Sequence, residues 1–176
     1  MHDVMTKIKV TPLSSACGAE ISGVDLTREL SPTQVAAIKA AWNKHLVLVF
    51  RGQTLSQEDQ LRFAGYFGPL GNRKIAPEPL RDRAEGIYQT NEKVLLVTNI
   101  RVDGKPIGAF GDGDMWFHID SGYSEKPYKY TFLYGLELPK SGGNTLFSNM
   151  YKAYEAVPQA LKDKLADKKA LHTGPL

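Results

Sequence analysis

The sequence predicts an α+β domain that is mainly β, with helices lying outside a sheet core. Three observations predict it. Runs rich in β-branched and aromatic residues recur at 46–50, 94–100 and 128–138, and such residues suit a pleated, half-buried surface. Two serines, Ser31 and Ser56, stand ahead of segments with helical spacing, where a side-chain oxygen can accept from orphan N–H groups. A chain of 176 residues, 42% hydrophobic and 23% charged, is long enough for one well-cored domain and short for two.

Residues 8–10 and 19–21 alternate as short strands, separated by the turn-prone stretch from Pro12 to Gly18. Ser31-Pro32 opens a helix, because proline is tolerated at the first helical position. Val35, Ile38 and Trp42 then share a face, with Ala36, Ala37, Ala40 and Ala41 filling around them. Residues 46–50 read as a buried strand closed by Arg51-Gly52. Ser56 with Asp59 three residues later resembles a capping box. The helix it opens should present Leu61, Ala64 and Phe67 to the core and end at Gly68-Pro69.

From residue 71 to 93, charges mix with Pro77 and Pro79 and no period survives. That stretch reads as a solvated loop or as a lid over a site. Residues 94–100 resume as a strand, Asp103-Gly-Lys-Pro106 as a turn, and 108–114 as a flexible, acidic approach to the segment at 115–122. A long strand at 128–138, a turn at 139–143, a short strand at 145–147, and helices at 151–154 and 158–165 complete the expectation.

Composition narrows the function classes. Twenty-two Lys and Arg against 19 Asp and Glu leave a net charge of +3, so no strong attraction to nucleic acid is implied. The apolar run at 46–50 is far too short to span a bilayer. Met1-His2-Asp3 does not begin a basic region followed by an apolar stretch, so no secretory signal is visible. Cys17 is the one cysteine and cannot pair internally, which fits a reducing, cytoplasmic setting.

The chemistry is concentrated in Met115-Trp-Phe-His118-Ile-Asp120-Ser-Gly. On an extended segment, residues two apart project to one side, so His118 and Asp120 could share a metal. An imidazole and a carboxylate in cis positions are two thirds of the facial triad that holds non-haem Fe(II). With four histidines in the chain, the spacing taken alone favours a structural His–Asp pair over a metal site. Trp116 and Phe117 read as core residues. His2 is terminal, and His45 stands at a helix-to-strand junction, where a role at the helix C-terminus suffices.

The surrounding chain resembles the taurine/chlorophenoxyacetate dioxygenase (TauD/TfdA) family. The matching residues are Val10-Thr-Pro-Leu13, Cys17-Gly-Ala-Glu-Ile-Ser-Gly-Val-Asp-Leu26, His45-Leu-Val-Leu-Val-Phe-Arg51 and Phe67-Gly-Pro-Leu70. They continue with Trp116-Phe-His-Ile-Asp120, Leu138-Pro-Lys-Ser-Gly-Gly-Asn-Thr145 and Asn149-Met-Tyr-Lys-Ala-Tyr154. All occur in the family's order. The resemblance implies a double-stranded β-helix (jelly roll, clavaminate-synthase-like) with flanking helices. It also implies an Fe(II)/2-oxoglutarate-dependent dioxygenase that hydroxylates a small organic, by analogy often anionic, substrate and releases succinate and carbon dioxide.

By the same resemblance His118 and Asp120 are the first two iron ligands. Thr145 is the residue that hydrogen-bonds a carboxylate of 2-oxoglutarate, although taken alone it reads as a strand threonine after a Gly-Gly turn. Asp114 and Tyr123, which flank the His-x-Asp, are candidates for the substrate pocket; a loop acid and a packing aromatic are the plainer readings. The expected partners are a small substrate and dioxygen, with neither nucleic acid nor membrane; a homo-oligomer stays open. A taurine dioxygenase proper is expected to carry histidine in the loop after Phe67-Gly68, where Gly71-Asn-Arg73 stands instead.

One departure matters. The family's distal histidine lies far downstream, on a later strand, followed shortly by an arginine that pairs with 2-oxoglutarate. His172 comes directly after a helical segment with no arginine behind it, so it is not expected to ligate iron. The expectation is a single dioxygenase domain over 1–176 that stops before the strands bearing the distal His and Arg, inactive in isolation. The alternative is a non-catalytic jelly-roll remnant or binding module without a complete metal site.

Overall fold

A computed structural model describes residues 7–71, 93–106 and 115–171. The element order is β1 (Lys9–Pro12), β2 (Ala19–Ser22), α1 (Pro32–His45), β3 (Leu48–Val49), α2 (Gln57–Gly65), β4 (Arg101–Val102), β5 (Lys105–Pro106), α3 (Met150–Glu155) and α4 (Gln159–Leu165). The chain divides into two compact units, Met1–Thr54 with Phe117–Leu176, and Leu55–Trp116.

In the first unit β2 is the central strand of three, antiparallel to β1 and parallel to β3. Parallel neighbours need a crossover long enough to return the chain, and α1 supplies it. Ser31 caps α1 as its spacing predicts: its Oγ accepts from the Gln34 N–H while the Gln34 side chain accepts from the Ser31 N–H. Ala19 and Ile21 of β2 and Ile38 and Ala41 of α1 are buried together with Leu26 and Leu30. Ala36, Ala37 and Ala40 lie on the more exposed side of α1. The expected strand at 46–50 shortens to two half-buried residues.

Two features hold this unit's turns. The Gln53 amide accepts from the Leu26 N–H at 2.9 Å and donates to the Val24 carbonyl at 3.2 Å, satisfying backbone groups that no strand pairs. Gly23 has φ +78, and a Cβ there would lie 2.8 Å from the Lys7 carbonyl oxygen. Gly23→Ala should therefore destabilise the protein by about 1–3 kcal/mol, read as a lower urea midpoint at unchanged slope; an unchanged midpoint would refute the close approach.

Asn149 caps α3, its Oδ1 accepting from the N–H groups of Tyr151 and Lys152 at 3.0 and 3.2 Å. Its Nδ2 donates to the Ala16 carbonyl at 2.7 Å, and the Lys152 ammonium donates to the Ser15 carbonyl. These bonds dock the helix on the turn after β1.

In the second unit Ser56 and Asp59 form the expected capping box: Ser56 Oγ accepts from the Asp59 N–H at 3.1 Å, and Asp59 Oδ2 accepts from the Ser56 N–H at 3.0 Å. Hydrogen bonds from the Ser56 hydroxyl and backbone, then from Arg62, hold the Asp59 carboxyl below its ordinary value of 3.8. The unfolded chain then takes up this proton first, so the cap's contribution is complete above that value and fades as the pH falls through the lower folded one. Amide protection in the first turn of α2 should weaken between about pH 4 and the acid limit, roughly the range of carboxylate titration. Asp59→Asn should remove that dependence; a pH-independent first turn in the unsubstituted protein would contradict the assignment.

The inward face of α2 differs from expectation. Phe63 is the buried residue, Leu61 and Ala64 are half-buried, and Phe67 lies beyond the helix end with its ring edge-on to Phe63 at 5.2 Å. The helix closes at Gly65 rather than Gly68. Asp103 and Gly104, with φ +50 and +73, turn β4 into β5, as hairpins whose two central residues take positive φ do.

The expected strands at 94–100, 128–138 and 145–147 are not formed among the described residues. An extended segment becomes a strand only when a neighbour pairs its N–H and C=O groups, and propensity alone does not supply one. Trp116 and Phe117, expected in the core, are 91% and 70% exposed. Among the described residues no helix is long and apolar enough to cross a membrane. The expected loop or lid at 71–93 lies almost wholly outside the described residues.

Candidate metal centre

The His-x-Asp segment is not part of a sheet. A turn begins at Asp120, with the Gly122 N–H donating to the Ile119 carbonyl at 3.2 Å and the Ser124 N–H to the Ser121 carbonyl at 2.8 Å. Ser121 takes a positive φ of +53, and its Oγ accepts from the Tyr128 N–H at 2.8 Å. The turn is thereby closed on the start of the 128–138 segment.

Even without a strand, the two side chains converge. His118 Nε2 lies 3.3 Å from Asp120 Oδ1, with 52% and 34% of the side chains exposed. The second carboxylate oxygen, Oδ2, accepts from the Thr131 hydroxyl at 2.8 Å. Nitrogen and oxygen donors that share a divalent ion at about 2.1 Å, roughly at right angles, stand ~3.0 Å apart. The observed separation is close to that, so the spacing of the two donors is compatible with a shared ion. It equally forms an ion pair when the imidazole is protonated.

No motif points to Thr131. Its neighbours place it: Tyr130 and Phe132 both pack on Trp42, at ring-centroid distances of 4.4 and 5.3 Å. The residue between them is left on the other side of the chain, toward Asp120. Trp42 is itself held by its indole N–H, which donates to the Leu46 carbonyl at 3.0 Å.

The other candidates are not gathered at this pair. Thr145 is exposed, two residues after Gly143, and among the described residues no hydrogen bond joins it to His118 or Asp120. Tyr123 is 63% exposed in the turn after Asp120. His45 ends α1, its carbonyl accepting from the N–H groups of Gly18 and Val47 at 2.8 Å each. Asp114, His2 and His172 lie outside the described residues. Among the described residues, no group of three or more His, Cys, Asp and Glu side chains is placed to hold a metal.

The family model for taurine catabolism dioxygenases, the TauD, TfdA family, matches residues 9–175. The chain belongs to this family. Among its TauD/TfdA relatives, the pentalenolactone F synthase of Streptomyces avermitilis is 36% identical over 162 residues, covering 90% of this chain and 50% of that protein. The alpha-ketoglutarate-dependent 2,4-dichlorophenoxyacetate dioxygenase of Cupriavidus pinatubonensis is 33% identical over 175 residues, covering 94% and 58%. A solved taurine dioxygenase from Burkholderia xenovorans is 39% identical, covering 46% of this chain and 26% of its own at a TM-score of 0.37. The chain spans about half the length of the curated TauD/TfdA relatives it matches.

Proposed function

We propose that this chain carries the first two iron ligands of an Fe(II)/2-oxoglutarate-dependent dioxygenase that hydroxylates a small organic substrate and releases succinate and carbon dioxide. The observation that supports it most is the 3.3 Å approach of His118 Nε2 to Asp120 Oδ1, in a chain of TauD/TfdA membership. His118 and Asp120 would hold the ion. A histidine and an arginine in the portion of the family's length that this chain does not span would complete the site. Iron with 2-oxoglutarate supplies the oxidising chemistry when bound, and the protein supplies orientation and a shielded pocket.

Thr145 would donate its hydroxyl to a carboxylate of 2-oxoglutarate. Asp114 and Tyr123, flanking the His-x-Asp, are the residues proposed to meet the substrate. A carboxylated aromatic is a reasonable first substrate to try, since one relative is named for dichlorophenoxyacetate. The β-rich segments at 94–100, 128–138 and 145–147 are proposed as strands of one double-stranded β-helix domain in the longer protein. Their exposed side chains support this, Leu133 at 72% and Leu146 at 69% among them, because apolar surface of this extent marks a face that another element covers. The one cysteine in this span fits a reducing, cytoplasmic setting.

The test is succinate formation by the full-length protein, supplied with Fe(II), 2-oxoglutarate and a panel of aryloxyacetates, sulfonates and sulfate esters. Substrate-dependent succinate is expected. A folded full-length protein that binds neither divalent metal nor 2-oxoglutarate would refute the proposal in favour of a binding module.

A further inference from the structure

We infer that Thr131 is a positioning residue for the metal centre, fixing the Asp120 carboxylate so that Oδ1 alone faces the ion. This rests on the reading of His118 and Asp120 as metal ligands. A carboxylate only accepts hydrogen bonds, so in the 2.8 Å contact the Thr131 hydroxyl is the donor and Asp120 Oδ2 the acceptor. With Oδ2 engaged, rotation of the carboxylate is opposed, and Oδ1 stays 3.3 Å from His118 Nε2.

The contact adds little to folding. Thr131 is exposed and the Asp120 side chain is about a third exposed, so water would satisfy both groups nearly as well. What water would not do is choose between the two oxygens. The choice is backed by a rigid chain of contacts. Tyr130 and Phe132 bracket Thr131 and are packed on Trp42, and the Tyr134 hydroxyl donates to the Gln53 carbonyl at 3.4 Å. The hydroxyl is thus presented from an anchored stretch of backbone. Partners that orient a ligating side chain typically change metal affinity by about 10–100-fold when removed.

The experiment uses the full-length protein, titrated with cobalt(II) and followed by its visible absorption, beside thermal unfolding without metal. Thr131→Val keeps the shape and removes the donor; Thr131→Ser keeps the donor. Cobalt affinity should fall about 10–100-fold in the valine variant and return to within about threefold in the serine variant, with both metal-free melting temperatures unchanged. His118→Ala is measured in parallel. Affinity lost in His118→Ala but retained in Thr131→Val overturns the role of Thr131 and leaves the metal site standing. Affinity retained in His118→Ala overturns the metal site and this inference together. A valine variant that loses affinity without recovery in the serine variant also refutes the hydroxyl's role.

Discussion

Replacing His118 by alanine should reduce Fe(II)- and 2-oxoglutarate-dependent turnover of the full-length protein by well over ~100-fold, because even residues that only orient a metal ligand cost about 10–100-fold. Stability should barely move. The imidazole is half exposed and meets Asp120 near the surface, and even a charged pair there is worth roughly 0–1 kcal/mol. This contrast is what separates the two readings of the pair. Both readings predict a small effect on folding; only the ligand reading predicts that metal affinity is lost. The measurements are succinate release and equilibrium binding of a divalent ion, with thermal unfolding as the control. Wild-type turnover in the variant would end the assignment of His118 as a ligand.

How far the sequence could be read depended on how local the governing interaction was. The caps at Ser31 and Ser56 were legible because a hydroxyl and the N–H three residues on are neighbours in any helix, so a few letters suffice. The box at Ser56 forms as expected, and the cap expected at Ser31 forms as a full box with Gln34. The two strands β1 and β2 were legible from alternation on either side of a turn-prone stretch; their antiparallel pairing is the structure's addition. By contrast, α2 presents Phe63 inward rather than the 61, 64, 67 stripe, because the helix closes at Gly65 and Phe67 no longer follows helical spacing.

Segments 94–100 and 128–138 carry strand composition without a strand, since a ladder needs a partner that composition cannot name. The hairpin at 101–106 was half legible: Asp103-Gly104 announces positive φ at two successive residues, yet only the turn was expected and not the strands it joins. At the candidate site the His-x-Asp spacing matches two side chains that do meet, His118 and Asp120, though beside a turn instead of on a strand. Thr131 left no trace in the motif. Its place comes from Tyr130 and Phe132 meeting Trp42, far earlier in the chain, and no local pattern holds that information.

Thr145→Ala should weaken 2-oxoglutarate binding about 5–30-fold in the full-length protein, the equivalent of roughly 1–2 kcal/mol for one hydrogen bond to a charged group. Metal affinity without co-substrate should stay as it was, since Thr145 shares no hydrogen bond with His118 or Asp120 among the described residues. The local backbone explains why a threonine here can be spared by the fold. Gly142 and Gly143 both take positive φ, at +74 and +65, so they and not Thr145 set the turn. Thr145 comes next but one, with its side chain exposed. Its loss removes a donor without opening a cavity, and surface changes of this kind usually stay within about 0.5 kcal/mol. Thr145→Ser should retain most of the affinity, because the hydroxyl is the group that acts. The decisive comparison is the half-saturating 2-oxoglutarate concentration across the alanine and serine variants. Equal values in both, at wild-type level, would remove Thr145 from the co-substrate site, while His118 and Asp120 would stand or fall on their own metal titration.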